Sequence, residues 1–379
     1  MKLIKRFVKY LLLITQIIGD KFANNSELIV LLGKNSTDED REDFIQRLRF
    51  YLPDFVDMIN IRSKLTMGDI LSLRPILLFD APNKHKWLLT LRSKVFDVDG
   101  RRNPRDGWAW VEVVNAYSPY KANTKKAEQR LRSRVEQLKA QSLDKCYIFG
   151  TGPSLEKAIN SDWSDGYRVV CNTIVRDADL WQHISPHFIV AADAIYHFGY
   201  TEFARAFRED LAKRLRETDT LFVYPEFFST IVAREFSEFE SRLIAIPTGQ
   251  HTNINVDLTD IFELPALGNV LNILLLPLGC TLSTNVFLWG FDGRAPADQL
   301  FWSNSSKHTY PDLMDSLKKS HPAFFDYHLV QSKPDDYVKR VHGDELDSDM
   351  DIAERGGWKF VMMHRTWTPT LQKRHQKNF

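Results

Sequence analysis

From residue 145 onward the chain repeats one pattern: a short apolar run, a polar break, then a longer segment with helical spacing. The runs are KCYIFG, RVVCN, HFIVAAD, TLFVYP, RLIAIP, NVFLWGFD and KFVMMH. Segments such as YTEFARAFREDLAKRLRE and LPALGNVLNILLLPLG separate them. Strands alternating with helices imply parallel pairing, so this half of the chain predicts an α/β, doubly wound, mostly parallel Rossmann-like sheet. Upstream, ELIVLLG (27–33) and PILLFD (75–80) predict strands, and DEDREDFIQRLRFYL predicts a helix opening near an Asp cap. Residues 25–140 therefore form an additional N-terminal α/β region. It closes on the charged run NTKKAEQRLRSRVEQLKAQSLDK, expected to be a helix with a solvated face that leads into the domain over 141–379. No 20–50-residue repeat or low-complexity tract interrupts this order.

The first 24 residues differ from the rest. MKLIKRFVKYLLLITQIIGDKF joins a basic start to an apolar stretch broken by Lys9 and Gln16. It is too short and interrupted for a membrane span, and no small-residue cleavage site follows it. The expectation is an amphipathic interfacial helix, with Lys2, Lys5, Arg6 and Lys9 toward anionic headgroups and Leu11, Leu12, Ile14, Ile17 and Ile18 toward acyl chains.

Composition narrows the class. With 379 residues and 44% hydrophobic positions, the chain can bury a large core. Fifty basic residues against 49 acidic give a net +1, so no global field draws it to nucleic acid. Cys146, Cys171 and Cys280 stand singly in apolar runs, without zinc spacing or the even count of a secreted disulfide framework, which points to a reducing compartment. The expected location is the cytoplasm, peripheral on the inner face of the membrane.

In open parallel sheets, ligands bind outside the carboxyl ends of the strands, at a switch in strand order. Those ends deliver Gly150-Thr151-Gly152-Pro153-Ser154, then Asn172, Asp193, and Gly290-Phe291-Asp292-Gly293-Arg294. Gly150 and Gly152 permit a tight turn and close backbone approach, while Pro153 and Ser154 suit the first turn of a helix whose free N–H groups favour an anion. A nucleotide phosphate is the natural guest. Asn172 offers both halves of an amide to a ribose or base.

FGTGPSLEKAI, VVCNTIVRD, LGNVLNILLLPLGCTLSTNVFLWGFDG and VHGDELDSDMDIAERGGWKFVMMH occur in that order. Over residues 145–365 this series resembles the bacterial sialyltransferases of glycosyltransferase family 42. It also resembles the domain of unknown function 115, which includes 6-hydroxymethylpterin diphosphokinase-like proteins. The resemblance implies a GT-A-like sialyltransferase variant of the sheet. It implies that Gly150, Gly152, Pro153, Ser154 and Asn172 hold a cytidine nucleotide; by their place in the loop and at the strand ends, Thr151, Asp193 and Asp292 are expected to be further nucleotide contacts. Gly268 and Asn269 fall where the family has a Ser-Gly turn, although Leu267 replaces the Ser. His342 matches the family's histidine general base. Where the family places two tyrosines near the leaving phosphate, this chain has Arg294 and Leu300-Phe301-Trp302.

Transfer from a CMP-activated sugar needs a base for the acceptor hydroxyl and a group to neutralise the departing phosphate. His342 suits the first role and Arg294, a permanent cation with a planar fork, the second. His321 is the reserve base. The scheme uses no metal and no cofactor beyond the donor. The segment 300–330, with His308, Tyr310, His321, Asp326, Tyr327 and His328 among aromatics, is expected to be a lid or acceptor loop. Asp-x-Asp occurs in DVDG (97–100) and DSDMD (347–351), a pairing that can hold a divalent ion against a diphosphate.

The expected partners are a nucleotide-sugar donor, sialic acid or a related keto-acid sugar such as Kdo, and a saccharide or lipid-linked glycan acceptor in surface polysaccharide or lipopolysaccharide assembly. Peripheral membrane contact and a homo-oligomer accompany them. Two alternatives stand beside this. One is an ATP- and Mg²⁺-dependent pterin diphosphokinase with Asp193 and Asp292 as metal ligands. The other is a non-catalytic nucleotide- or glycan-binding accessory protein.

Overall fold

The structure, a computed structural model, describes residues 28–33, 36–54, 59–66, 69, 74–80, 94–118, 120–296, 298, 304–327 and 338–376. The expected interfacial helix over 1–24 lies outside them. No helix among the described residues is long and apolar enough to cross a membrane.

The chain divides into two compact units, each α/β with a parallel sheet. The first comprises residues up to Ser118 together with Ser320–Phe324. Its strands are β1 (Leu28–Leu32), β2 (Ile59–Arg62), β3 (Ile76–Phe79) and β4 (Val95–Asp97), paired in the order β2-β1-β3-β4, all parallel. Every residue of β1 and β3 is buried, as their unbroken apolar runs require. Helix Asp38–Tyr51 opens on Thr37 rather than on an Asp. The Thr37 side chain accepts from Asp40 N–H while the Asp40 carboxylate accepts from Thr37 N–H. Helix Asp106–Tyr117 buries Trp110, which stacks on Tyr51 with 4.9 Å between ring centres.

The second unit holds seven strands: β5 (Lys145–Phe149), β6 (Gly166–Cys171), β7 (Phe188–Val190), β8 (Leu221–Pro225), β9 (Leu243–Ile246), β10 (Asn285–Trp289) and β11 (Lys359–Met362). All seven expected strands are present. They form one parallel sheet in the order β11-β10-β5-β6-β7-β8-β9. The chain moves outward from β5 to β9, then restarts on the other flank of β5 with β10 and β11. The switch in strand order therefore falls between β5 and β10.

Helix Thr124–Lys139 belongs to this unit, so the division falls near Ser118 and not at residue 140. The physical reason is a stripe inside its charged sequence. Ala127, Leu131, Val135 and Leu138 are buried in one cluster with Cys146, Ile148 and Ile244. A helix with a quarter of its residues apolar still docks when those residues share a face.

Candidate functional site

At the switch point β5 and β10 run in register from Lys145↔Asn285 to Phe149↔Trp289, which brings the two following glycine turns side by side. Gly150 N–H donates to Trp289 O and Gly152 N–H to Gly290 O, each at 2.8 Å. A Cβ on Gly150 would lie 2.6 Å from Gly290 O. One on Gly152 would lie 2.1 Å from Asp292 Oδ2. These glycines are thus required by the approach of two backbones and a carboxylate, with Gly290 additionally at φ +80°.

Asp292 closes over the start of the 3₁₀ helix Pro153–Asn160. Its carboxylate accepts from Ser154 N–H at 3.1 Å and Ser154 Oγ–H at 2.8 Å. The loop expected to hold a phosphate therefore already carries an anion of the chain's own.

A third strand end joins them. His364, two residues beyond β11, places Nε2 2.7 Å from Ser154 Oγ and accepts Gly290 N–H at 2.9 Å. Its Nδ1 lies 2.8 Å from Arg365 O. A backbone N–H aimed at Nε2 and a carbonyl facing Nδ1 fit the Nδ1–H tautomer, in which the single Ser154 hydroxyl proton is shared between Asp292 Oδ2 and Nε2. Burial pushes this imidazole below its ordinary range, consistent with that form. Sequence reasoning missed His364, although KFVMMH was read as a strand; its end needed the inspection given to the others.

The next strand end is Asn172, at φ +53°. Asn269 shares this left-handed conformation, at φ +56°, in the turn after half-buried Gly268. Asn269 Oδ1 accepts from Leu271 N–H at 2.7 Å, which turns its Nδ2 the other way. Asn172 Oδ1 and Asn269 Nδ2 are both shut from solvent and have no hydrogen-bond partner among the described residues. The helical run Leu271–Leu275 packs on β6, the strand that runs into Asn172. Asp193 caps its own turn, accepting from Ile195 N–H at 2.7 Å and Tyr196 N–H at 2.8 Å.

His342 lies in the π-helical run Val338–Glu345, where burial lowers its pKa to about 4. This run is tied to the Asn269 helix by Asn272 Nδ2, which donates to Val341 O at 3.2 Å. Arg294 is half-buried just after the Gly293 turn.

Of the expected lid, residues 300–303 and 328–330 lie outside the described ones, Leu300, Phe301, Trp302 and His328 among them. The part seen is a brace. Ser305 N–H donates to Thr151 O, and Thr151 Oγ1 to Asn304 Oδ1, both at 2.9 Å. Buried His308 bridges Ser305 Oγ and Asp177 Oδ2 at 2.9 Å each. Tyr310 donates to Asp210 at 2.8 Å.

His321 does not join this edge: it belongs to the first unit. Its fully buried ring sits against the fully buried Asp106, Nδ1 to Oδ2 at 2.8 Å, and Arg47 Nη1 reaches the same carboxylate at 2.9 Å. A side chain so enclosed cannot take a proton from an acceptor, which removes it as a reserve base. The Asp-x-Asp pairs are also engaged elsewhere. Asp97 and Asp99 pair with Arg102 and Arg101 at 3.1 and 2.9 Å. Asp347 faces Thr370, Lys373 and Arg374, while Asp349 turns inward to accept Ile254 N–H at 3.1 Å. Among the described residues no group of three or more His, Cys, Asp or Glu could hold a metal ion.

No family model matches the chain, and neither does any curated protein or solved structure.

Proposed function

We propose that the protein is a glycosyltransferase of GT-A-like, sialyltransferase-related form that uses a CMP-activated sugar. It transfers sialic acid or a related keto-acid sugar to a saccharide acceptor at the inner face of a membrane. The observation that supports it most is the pair Asn172 and Asn269. The sequence predicts both as nucleotide contacts, both hold a left-handed backbone, and each has one amide atom without a partner among the described residues. Buried polar atoms are nearly always paired, and left-handed non-glycine residues gather at functional sites. An unmet acceptor and an unmet donor are the complements of a cytosine's amino and carbonyl groups, which would satisfy them once the side chains turn to meet the base.

In this reading His342 accepts the acceptor hydroxyl's proton as the glycosidic bond forms. Arg294 neutralises the phosphate that leaves as CMP. The Ser154–Asp292–His364 brace keeps the loop rigid beneath the donor.

The test is calorimetric titration with CMP, CDP, UMP, GDP and ATP, with and without Mg²⁺, followed by turnover with CMP-sialic acid. Selective CMP binding, indifferent to Mg²⁺, is expected. Asn172→Ala should weaken it about 10-fold through loss of one hydrogen bond to a buried partner. His342→Ala should lower turnover by about 100-fold or more with CMP affinity kept. Selective binding of ATP with Mg²⁺ would replace this reading with the kinase one.

A further inference from the structure

The loop after β11 carries an exposed indole at the same edge. Trp367 is 61% exposed, more than any other large apolar side chain among the described residues. Single surface aromatics are common and need no explanation of their own. The backbone beneath this one sets it apart. Trp367 N–H donates to Asp292 O at 2.8 Å, and Thr366 Oγ1 donates to Phe291 O at 2.6 Å. Thr366 N–H donates to Gln372 Oε1 and Thr368 N–H to Thr366 Oγ1, at 3.0 and 3.1 Å. Gly293, at φ +78°, lies so close that a Cβ there would stand 2.6 Å from Thr368 Oγ1. The indole is thus held out to solvent from a loop fastened to the Asp292 turn, three residues from His364.

We propose that Trp367 is a stacking platform for the pyranose ring of a saccharide. An indole on an anchored backbone, with only two side-chain torsions, loses little conformational freedom on binding, and its electron-rich face attracts the slightly positive C–H groups on one side of a sugar. Exposed Arg365, two residues earlier in the same loop, adds a cationic donor to this surface. The inference rests on the nucleotide-sugar reading, in which the two asparagines take the base and leave the indole for the acceptor.

The experiment is saturation-transfer NMR of the full chain with lactose and with maltose, on wild type, Trp367→Ala and Trp367→Phe, with CMP titrated into the same samples. Transfer should appear on the C–H protons of one ring face, fall at least about 5-fold in Trp367→Ala, and survive mostly in Trp367→Phe. Transfer that is absent from wild type, or equal in the alanine variant, overturns the platform. So does an alanine variant that loses CMP and keeps the sugar, since the indole would then serve the base. Wild type that binds sugar through Trp367 and ignores CMP would instead sink the nucleotide reading and leave a saccharide site.

Discussion

Asp349 is 2% exposed, and burial, assisted by the charge of Glu345, raises its pKa from 3.8 to about 6. The folded state therefore holds this proton more tightly than the unfolded chain. The stability it contributes is complete below about pH 3.8 and is lost as pH rises through about 6. At pH 7 the ionised, buried carboxylate costs about 3 kcal/mol. An amide keeps the acceptor that Ile254 N–H uses and carries no charge. Asp349→Asn should accordingly raise the thermal midpoint at pH 8, with the gain shrinking toward zero by pH 4. A pH-independent difference would mean that charge is not the cause. At this same scale the glycines of the switch point were legible in the sequence, because a strand running into Gly-Thr-Gly-Pro announces its turn. The asparagines were legible as turn formers, but their orphaned amide atoms depend on neighbours distant in the chain. His321 was misread for the converse reason: nothing local tells that residue 321 is buried against residue 106.

Among elements, those with long unbroken apolar runs were readable and those with short or mixed ones were not. β2 is INIR, with no residue fully buried, and β4 has three residues, so neither stands out against a loop. Leu271–Leu282 passes from π to α winding and packs on β6, and hydropathy encodes neither. Helix Thr124–Lys139 shows how little apolar surface suffices. Leu131 is fully buried at the centre of its stripe, and Leu131→Ala should cost about 2–4 kcal/mol, read as a lower urea midpoint with unchanged slope. A loss below about 0.5 kcal/mol would mean that the helix is held by its charged face instead.

At the scale of the whole molecule, two parallel sheets were partly foreseen: the larger by its regular alternation, the smaller only as an α/β region, since two of its four strands left no signal. The first unit depends on a distant piece of chain. Asp106 is wholly buried between Arg47 and His321, and taking one hydrogen-bond partner from a buried acceptor typically costs about 1–3 kcal/mol. His321→Ala should therefore speed hydrogen exchange in helices Asp38–Tyr51 and Asp106–Tyr117 while amides of β5 to β10 keep their protection. Uniform acceleration throughout would show that the units unfold together.

That dependence also sets an order of events during synthesis. Some 200 residues separate Ser118 from Ser320, so at about 5–20 residues per second the ribosome needs roughly 10–40 s to supply the missing segment. Through that interval the nascent first unit carries a carboxylate whose imidazole has not yet been made. Of the two units, the one whose synthesis starts first cannot be finished until most of the other has been made.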